Sequence, residues 1–157
     1  MKKYIKYIFL ILYLASIAVI FMSSLETGKE SSEDSSEVTT VIVDEVKKIT
    51  DDKVQLDFDT THFYVRKIIG HFGSFMLCSI LGLLCFYLFT LKNKKAVIVS
   101  ISTGLIVAVV SELLQLLSEG RSCEIIDMLI DYSGYLCGTI FTLLIICLIK
   151  KKKKAYN

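Results

Sequence analysis

The residues in this sequence able to do chemistry are few, and their spacing groups them. Ser111, Glu112, Gln115 and Ser118 follow an i, i+1, i+4, i+7 pattern that lines them along one face of a helix. Asp127 and Asp131 stand four apart and share a face in the same way. His71 follows the basic pair Arg66-Lys67, and Arg121 sits in the short polar stretch Glu119-Gly120-Arg121-Ser122-Cys123-Glu124. A carboxylate withdrawn from water is a candidate general base or cation ligand, an imidazole moves protons near neutral pH, and guanidinium groups hold anions. Glu112, His71 and Asp127 are therefore the candidate acid–base groups. Arg66, His71, Glu112, Gln115, Arg121, Asp127 and Asp131 form the candidate binding set.

The elements that must position these groups are membrane spans. The chain of 157 residues is 54% hydrophobic, lacks proline and tryptophan, and has a mean hydropathy of +0.60. A bilayer core of roughly 30 Å takes about 20 helical residues. Apolar segments of suitable length run over about 7–22, 68–91, 96–117 and 128–149. The first is short, and Lys2, Lys3 and Lys6 precede it as in a signal peptide. No small-x-small cleavage site follows at Phe21-Met22-Ser23-Ser24-Leu25-Glu26, so it reads as a retained helix. The expected fold is all-α: a single domain over 1–157, an integral membrane four-helix bundle with an extracytoplasmic segment, 23–65, between the first two helices.

Lysine placement predicts orientation. Lys2, Lys3, Lys6, then Lys92, Lys94, Lys95, then Lys150 to Lys154 flank the spans on one side with no acidic residue among them, and cytoplasmic flanks accumulate such charge. All 16 acidic residues fall on the other side. Both termini are expected in the cytoplasm. Within 23–65, the stretch Glu26 to Ser36 is too polar to bury a core and should be mobile, while Val38, Ile42, Val46 and Ile49 recur at helical spacing and suggest an amphipathic helix over Val38 to Thr50. Asp59 and Thr60 are suitable N-caps for a second membrane helix longer than its apolar run.

An ionisable group in hydrocarbon costs about 2.5–3.5 kcal/mol on insertion scales, so each calls for a partner or a purpose. Glu112, His71 and Asp131 lie at similar depth from the outer ends of their spans. The inner halves hold only Cys85, Thr90, Thr103, Thr139 and Cys147 as their most polar residues, whose hydroxyls can bond their own backbone. Plainer roles stand beside the functional ones: Arg66 and Arg121 as interfacial anchors paired with Asp127 or Glu124, His71 as a packing residue, Gly134 and Gly138 as a close-packing pair.

Several classes are disfavoured. The near balance of 18 basic and 16 acidic residues argues against a nucleic-acid partner. Five cysteines, Cys78, Cys85, Cys123, Cys137 and Cys147, contain no CxxC pair, so neither a zinc-cysteine site nor a disulfide framework is expected. No cofactor and no tight metal site is predicted, although His71, Glu112, Asp127 and Asp131 are of a type that holds divalent cations.

The order of motifs resembles the VanZ-like family of small bacterial membrane proteins. The likeness covers nearly the whole chain. It rests on Ser111-Glu112-Leu113-Leu114-Gln115, Gly120-Arg121, Asp127, Asp131, Gly134 and Gly138, and on Arg66-Lys67 followed by His71-Phe72, here with one extra residue between the basic pair and the histidine. Many relatives carry asparagine where Asp131 stands. The resemblance implies a multi-pass protein of the bacterial cytoplasmic membrane linked to the cell envelope and to low-level resistance to the glycopeptide teicoplanin. Two functions follow as expectations. One is binding of a lipid-linked cell-wall precursor, a glycopeptide or a partner protein at the outer face. The other is an enzyme on a lipid-linked substrate using carboxylate and histidine chemistry. A pore or transporter fits less well, because the charges gather on one side rather than at the midplane.

Overall fold

The computed structural model describes residues 2–51, 53–90 and 93–155. Leu91 and Lys92, and the side chains of Lys2, Lys3, Thr90, Asn93, Lys154 and Ala155, lie outside the described residues. Helix is the only regular structure among them, as a proline-free apolar chain favours: α1 (Lys2–Leu25), α2 (Gly28–Thr50), α3 (Phe58–Tyr64), a π-helical segment (Val65–Gly73), α4 (Ser74–Thr90), α5 (Asn93–Gln115) and α6 (Ile125–Ala155). Four stretches are long and apolar enough to cross a membrane: Tyr4–Leu25, Phe58–Phe89, Lys94–Gln115 and Ile125–Lys153. The second is one continuous rod built from α3, the π segment and α4.

The rods run alternately up and down, which brings the start of α1 and the end of α6 to one end of the bundle. There Lys6 lies over the Tyr7 and Phe89 rings, and Lys150 lies over Tyr87. At the other end the α1–α2 junction meets the α5–α6 loop. Gly28 N–H donates to the Glu119 carbonyl at 2.9 Å, and a Cβ on Gly28 would strike the Gly120 carbonyl. Gly120 turns this loop at φ +73°, where a side chain would be strained.

The segment 23–65 differs from expectation. The polar stretch expected to be mobile is the first half of α2, which begins at Gly28 rather than at Val38. Thr27 caps it: its hydroxyl accepts from Glu30 N–H, and the Glu30 carboxylate accepts from Thr27 N–H at 2.9 Å, satisfying two otherwise orphaned donors. Serine and threonine hydroxyls then bond back into the helix, as Ser35 to the Ser31 carbonyl and Thr39 to Ser35. Thr39 and Val43 are buried, and His62 of α3 contacts the Ser32 carbonyl at 3.2 Å. The α3 cap also differs: Asp57, not Asp59 or Thr60, accepts from the Thr60 N–H at 2.9 Å.

The core runs down the middle of the bundle through Tyr13, Phe75, Cys78, Cys85, Val107, Ala108 and Tyr135, with α4 packed against α1, α5 and α6. Gly104 leaves the room that the Tyr135 ring fills. Gly134 and Gly138 of α6 face the Phe72 and Met76 carbonyls, so that α6 and the second rod meet backbone to backbone. Ile11, Ile106, Leu129, Ile140 and Leu148 remain exposed around the outside, an apolar girdle suited to lipid.

Candidate functional site

Three rods carry the polar groups at the α2 end. The π segment supplies Lys67 and His71, α5 supplies Ser111, Glu112 and Gln115, and α6 supplies Asp127 and Asp131. Glu112 is fully buried and Asp131 is 1% exposed, so their oxygens must find partners inside the protein.

The partners form two linked groups. Lys67 Nζ bonds Asp127 Oδ1 and lies 3.7 Å from Glu124 Oε2. His71 Nδ1 lies 3.0 Å from Asp131 Oδ1, and its Nε2 is 3.7 Å from Asp127 Oδ2. On α5, Glu112 Oε1 accepts from the Gln115 amide while its Oε2 accepts from Glu124 N–H at 3.1 Å. Ser111 bonds its own helix, at the Ala108 carbonyl. Helix α5 ends at Gln115, so Ser118 lies beyond it in the turn and donates to the Ser24 carbonyl at 3.2 Å.

The structure therefore brings His71, Glu112, Gln115, Asp127 and Asp131 together and leaves the two arginines apart from their expected partners. Neither Arg66 nor Arg121 forms an ion pair with Asp127 or Glu124. Arg121 donates to the Ser23 carbonyl at 2.7 Å, and Arg66 has no hydrogen bond or ion pair among the described residues. Partial burial, together with the charge of Arg66, holds the Arg121 guanidinium below its ordinary value. Lys67, which is absent from the candidate binding set, takes the place expected of Arg66. Its position four residues before His71 was the available signal, since residues so spaced lie on one side of a helix.

A cavity of about 260 Å³ lies beside this network. Arg66, His71, Gln115, Arg121 and Asp131 line it on the bundle side. Ser31, Asp34, Ser35 and Val38 of α2 close it from above, with Ser23, Ser24 and Glu26 at the α1 end. On the opposite side of the π segment, Phe63, Tyr64, Ile68, Phe72, Ile126 and Ile130 form a second, almost wholly apolar cavity with Lys67 at its edge. The first cavity presents two guanidinium groups and an imidazole oriented by a carboxylate, together with the carboxylates of Glu26, Asp34 and Asp131. His71, Glu112 and Asp131 each offer one ligand atom within 4.8 Å of the others, an arrangement able to take a cation.

A protein-family model described as VanZ/LLP1 matches residues 8–148 of the chain. No curated protein and no solved structure matches it.

Proposed function

From the premise that the chain belongs to the VanZ/LLP1 family and is a multi-pass membrane protein, we propose that it acts in the bacterial cell envelope by holding the anionic head of a lipid-linked cell-wall precursor. In this reading the α2 end faces outward, both termini are cytoplasmic, and occupancy of the cavity lowers the exposure of precursor to teicoplanin. The observation that carries it is the lining of the cavity: Arg66 and Arg121 border it without an ion pair among the described residues, beside His71 and Gln115, with the carboxylates of Glu26, Asp34 and Asp131 elsewhere on the wall. Two guanidiniums without ion pairs, on a wall that also carries Ile20, Ile69 and Phe75, suit a phosphate or pyrophosphate borne on a lipid better than an uncharged ligand.

The test is retention of a polyprenyl-pyrophosphate precursor by the purified protein in nanodiscs. Replacing both arginines, Arg66→Gln with Arg121→Gln, should weaken retention roughly a hundredfold, about 1.4 kcal/mol for each charge-assisted hydrogen bond removed. Teicoplanin protection should fall in the same cells at unchanged membrane abundance. Equal retention by both proteins would sink the reading. If the protein instead retains free teicoplanin and not the precursor, the glycopeptide is the ligand.

A second reading, an enzyme on the same lipid-linked substrate, draws on one observation. The His71 ring is held by Asp131 at 3.0 Å on the cavity wall, as a general base is held by its orienting carboxylate. Precursor consumption that stops in His71→Gln would favour it, and absence of turnover with and without divalent metal would remove it.

A further inference from the structure

The geometry points to a binding site for a divalent transition-metal cation, Zn²⁺ or Mn²⁺, formed by His71, Glu112 and Asp131 at the base of the α2-covered cavity. Such a site is independent of what the cavity above it holds. One ligand comes from each of three rods: the π segment, α5 and α6. An exposed acidic patch would gather carboxylates of one kind near water. Here an imidazole and two carboxylates converge from separate helices, with side-chain exposures of 13% for His71 and 1% for Asp131, and a Glu112 that is fully buried. Their ligand atoms lie within 4.8 Å of one another. Bonds of about 2.0–2.2 Å to a shared cation require only a modest inward movement of flexible side chains.

Charge favours a divalent ion. Lys67 already answers Asp127 and Glu124. Asp131 pairs with His71, Glu112 has the neutral Gln115 amide and the Glu124 N–H as its hydrogen-bond partners, and Arg66 and Arg121 line the cavity without an ion pair to either carboxylate among the described residues. Two carboxylates and a neutral imidazole carry two negative charges, which one divalent cation neutralises inside a layer where net charge is costly. The cation would take the place of the proton that His71 Nδ1 and Asp131 Oδ1 share.

The surroundings orient the ligands and leave them the small inward movement that coordination needs. Gln115 and the Glu124 N–H fix the two oxygens of Glu112. The far ring nitrogen of His71 faces Asp127 at 3.7 Å, so that a metal-bound imidazole can direct its remaining N–H to a carboxylate that Lys67 steadies. His71 and Asp131 also line the cavity, which leaves an approach for the ion and room for water or an anionic ligand on its open side. The absence of cysteine from the set favours Zn²⁺ or Mn²⁺ over copper(I).

The experiment uses the full-length protein in detergent, stripped with a chelator and titrated with ZnCl₂, MnCl₂ or, as a spectroscopic probe, CoCl₂. Wild type should retain about one metal per chain after desalting, gain several degrees in its unfolding midpoint, and give a saturable visible Co²⁺ band. Glu112→Gln and His71→Gln should each lose on the order of a hundredfold in affinity, while Thr103→Ala, remote from the site, matches wild type. If the variants fail to fold, the wild-type titrations decide. A folded wild type with no retained metal, no thermal gain and no Co²⁺ band overturns the site, as does equal binding by folded ligand variants. MgCl₂ reproducing the thermal gain without the Co²⁺ band would overturn it as well, since that outcome marks general ionic stabilisation.

Discussion

Two sets of buried polar groups hold this bundle together, and they solve the same problem in different ways. At the α2 end the groups are charged: Lys67, His71, Glu112, Asp127 and Asp131. Deeper in the bundle they are neutral hydroxyls. Tyr135 lies 3.2 Å from Ser100 and 3.4 Å from Tyr13, and Ser79 lies 2.7 Å from Thr139. A hydroxyl both donates and accepts, so the deeper set closes on itself. The charged set cannot close so cheaply in hydrocarbon, and it adjoins a cavity lined by two arginines that it leaves unpaired. Helix packing is served by the neutral set and the glycines. The charged set also ties the π segment to α6, through Lys67 with Asp127 and His71 with Asp131, but at the cost of holding ionisable groups in hydrocarbon.

The largest effect expected from this contrast is at Lys67. Lys67→Met leaves Asp127 buried without its cation, and removing one partner of a buried pair costs about 3–5 kcal/mol. The lysine is 21% exposed, so about 3 kcal/mol is expected, read as a loss of detergent-unfolding stability and of membrane abundance. The double variant Lys67→Met with Asp127→Leu should recover most of that loss, because it removes both charges. Failure to recover would mean that the ion pair positions the rods rather than merely neutralising a charge. Near-wild-type stability of the single variant would mean that Asp127 is well solvated, and the contrast between the two sets would collapse.

The neutral set should respond far less. Tyr135→Phe keeps the ring against Gly104 and removes one hydroxyl from the Ser100 and Tyr13 contacts. Hydrogen bonds between membrane helices average about 0.6 kcal/mol, so the expected cost is about 1 kcal/mol or less. Metal retention and precursor retention should both equal wild type. A change in either would show that the deeper hydroxyls transmit to the cavity and that the two sets are one network.

How much of this was legible in the sequence depended on whether a feature was local. The four spans stand out because their apolar runs are long. The grouping of Glu112 with Gln115, of Asp127 with Asp131 and of Gly134 with Gly138 follows from helical spacing alone. The choice of Lys67 over Arg66 as the partner of Asp127 was not legible, because it depends on how the second rod is turned, and the π segment over Val65–Gly73 changes that turn relative to an α-helix. That segment coincides with the one-residue lengthening between the basic pair and His71. Spacing alone allows the Thr139 hydroxyl to bond its own helix, whereas helix contact places it against Ser79 of α4. The first half of α2 looks unstructured in isolation because only Thr39 and Val43 of the helix are buried. Its order comes from the Thr27–Glu30 cap and from contacts with α3 and the π segment, distant in sequence.

That cap yields the smallest effect, and a pH-dependent one. Backbone and side-chain hydrogen bonds from Thr27 hold the Glu30 carboxyl below the ordinary glutamate value of about 4.3. The folded value is the depressed one. Its contribution is therefore present above the unfolded value and is lost as pH falls through the folded value. Amide exchange in the first turn of α2, corrected for the intrinsic pH dependence, should rise a few-fold on acidification from pH about 6 to below about 4. Glu30→Gln should remove that pH response while the rest of the bundle exchanges as before. Because α2 closes the cavity from above, the change should appear on the side of the charged set and leave amides around Tyr135 untouched. Loosening at both places would show that α2 and the bundle open as one cooperative unit. Loosening confined to α2 would make the cover of the cavity separable from the bundle beneath it, as the proposed entry of a lipid-linked head beneath α2 requires.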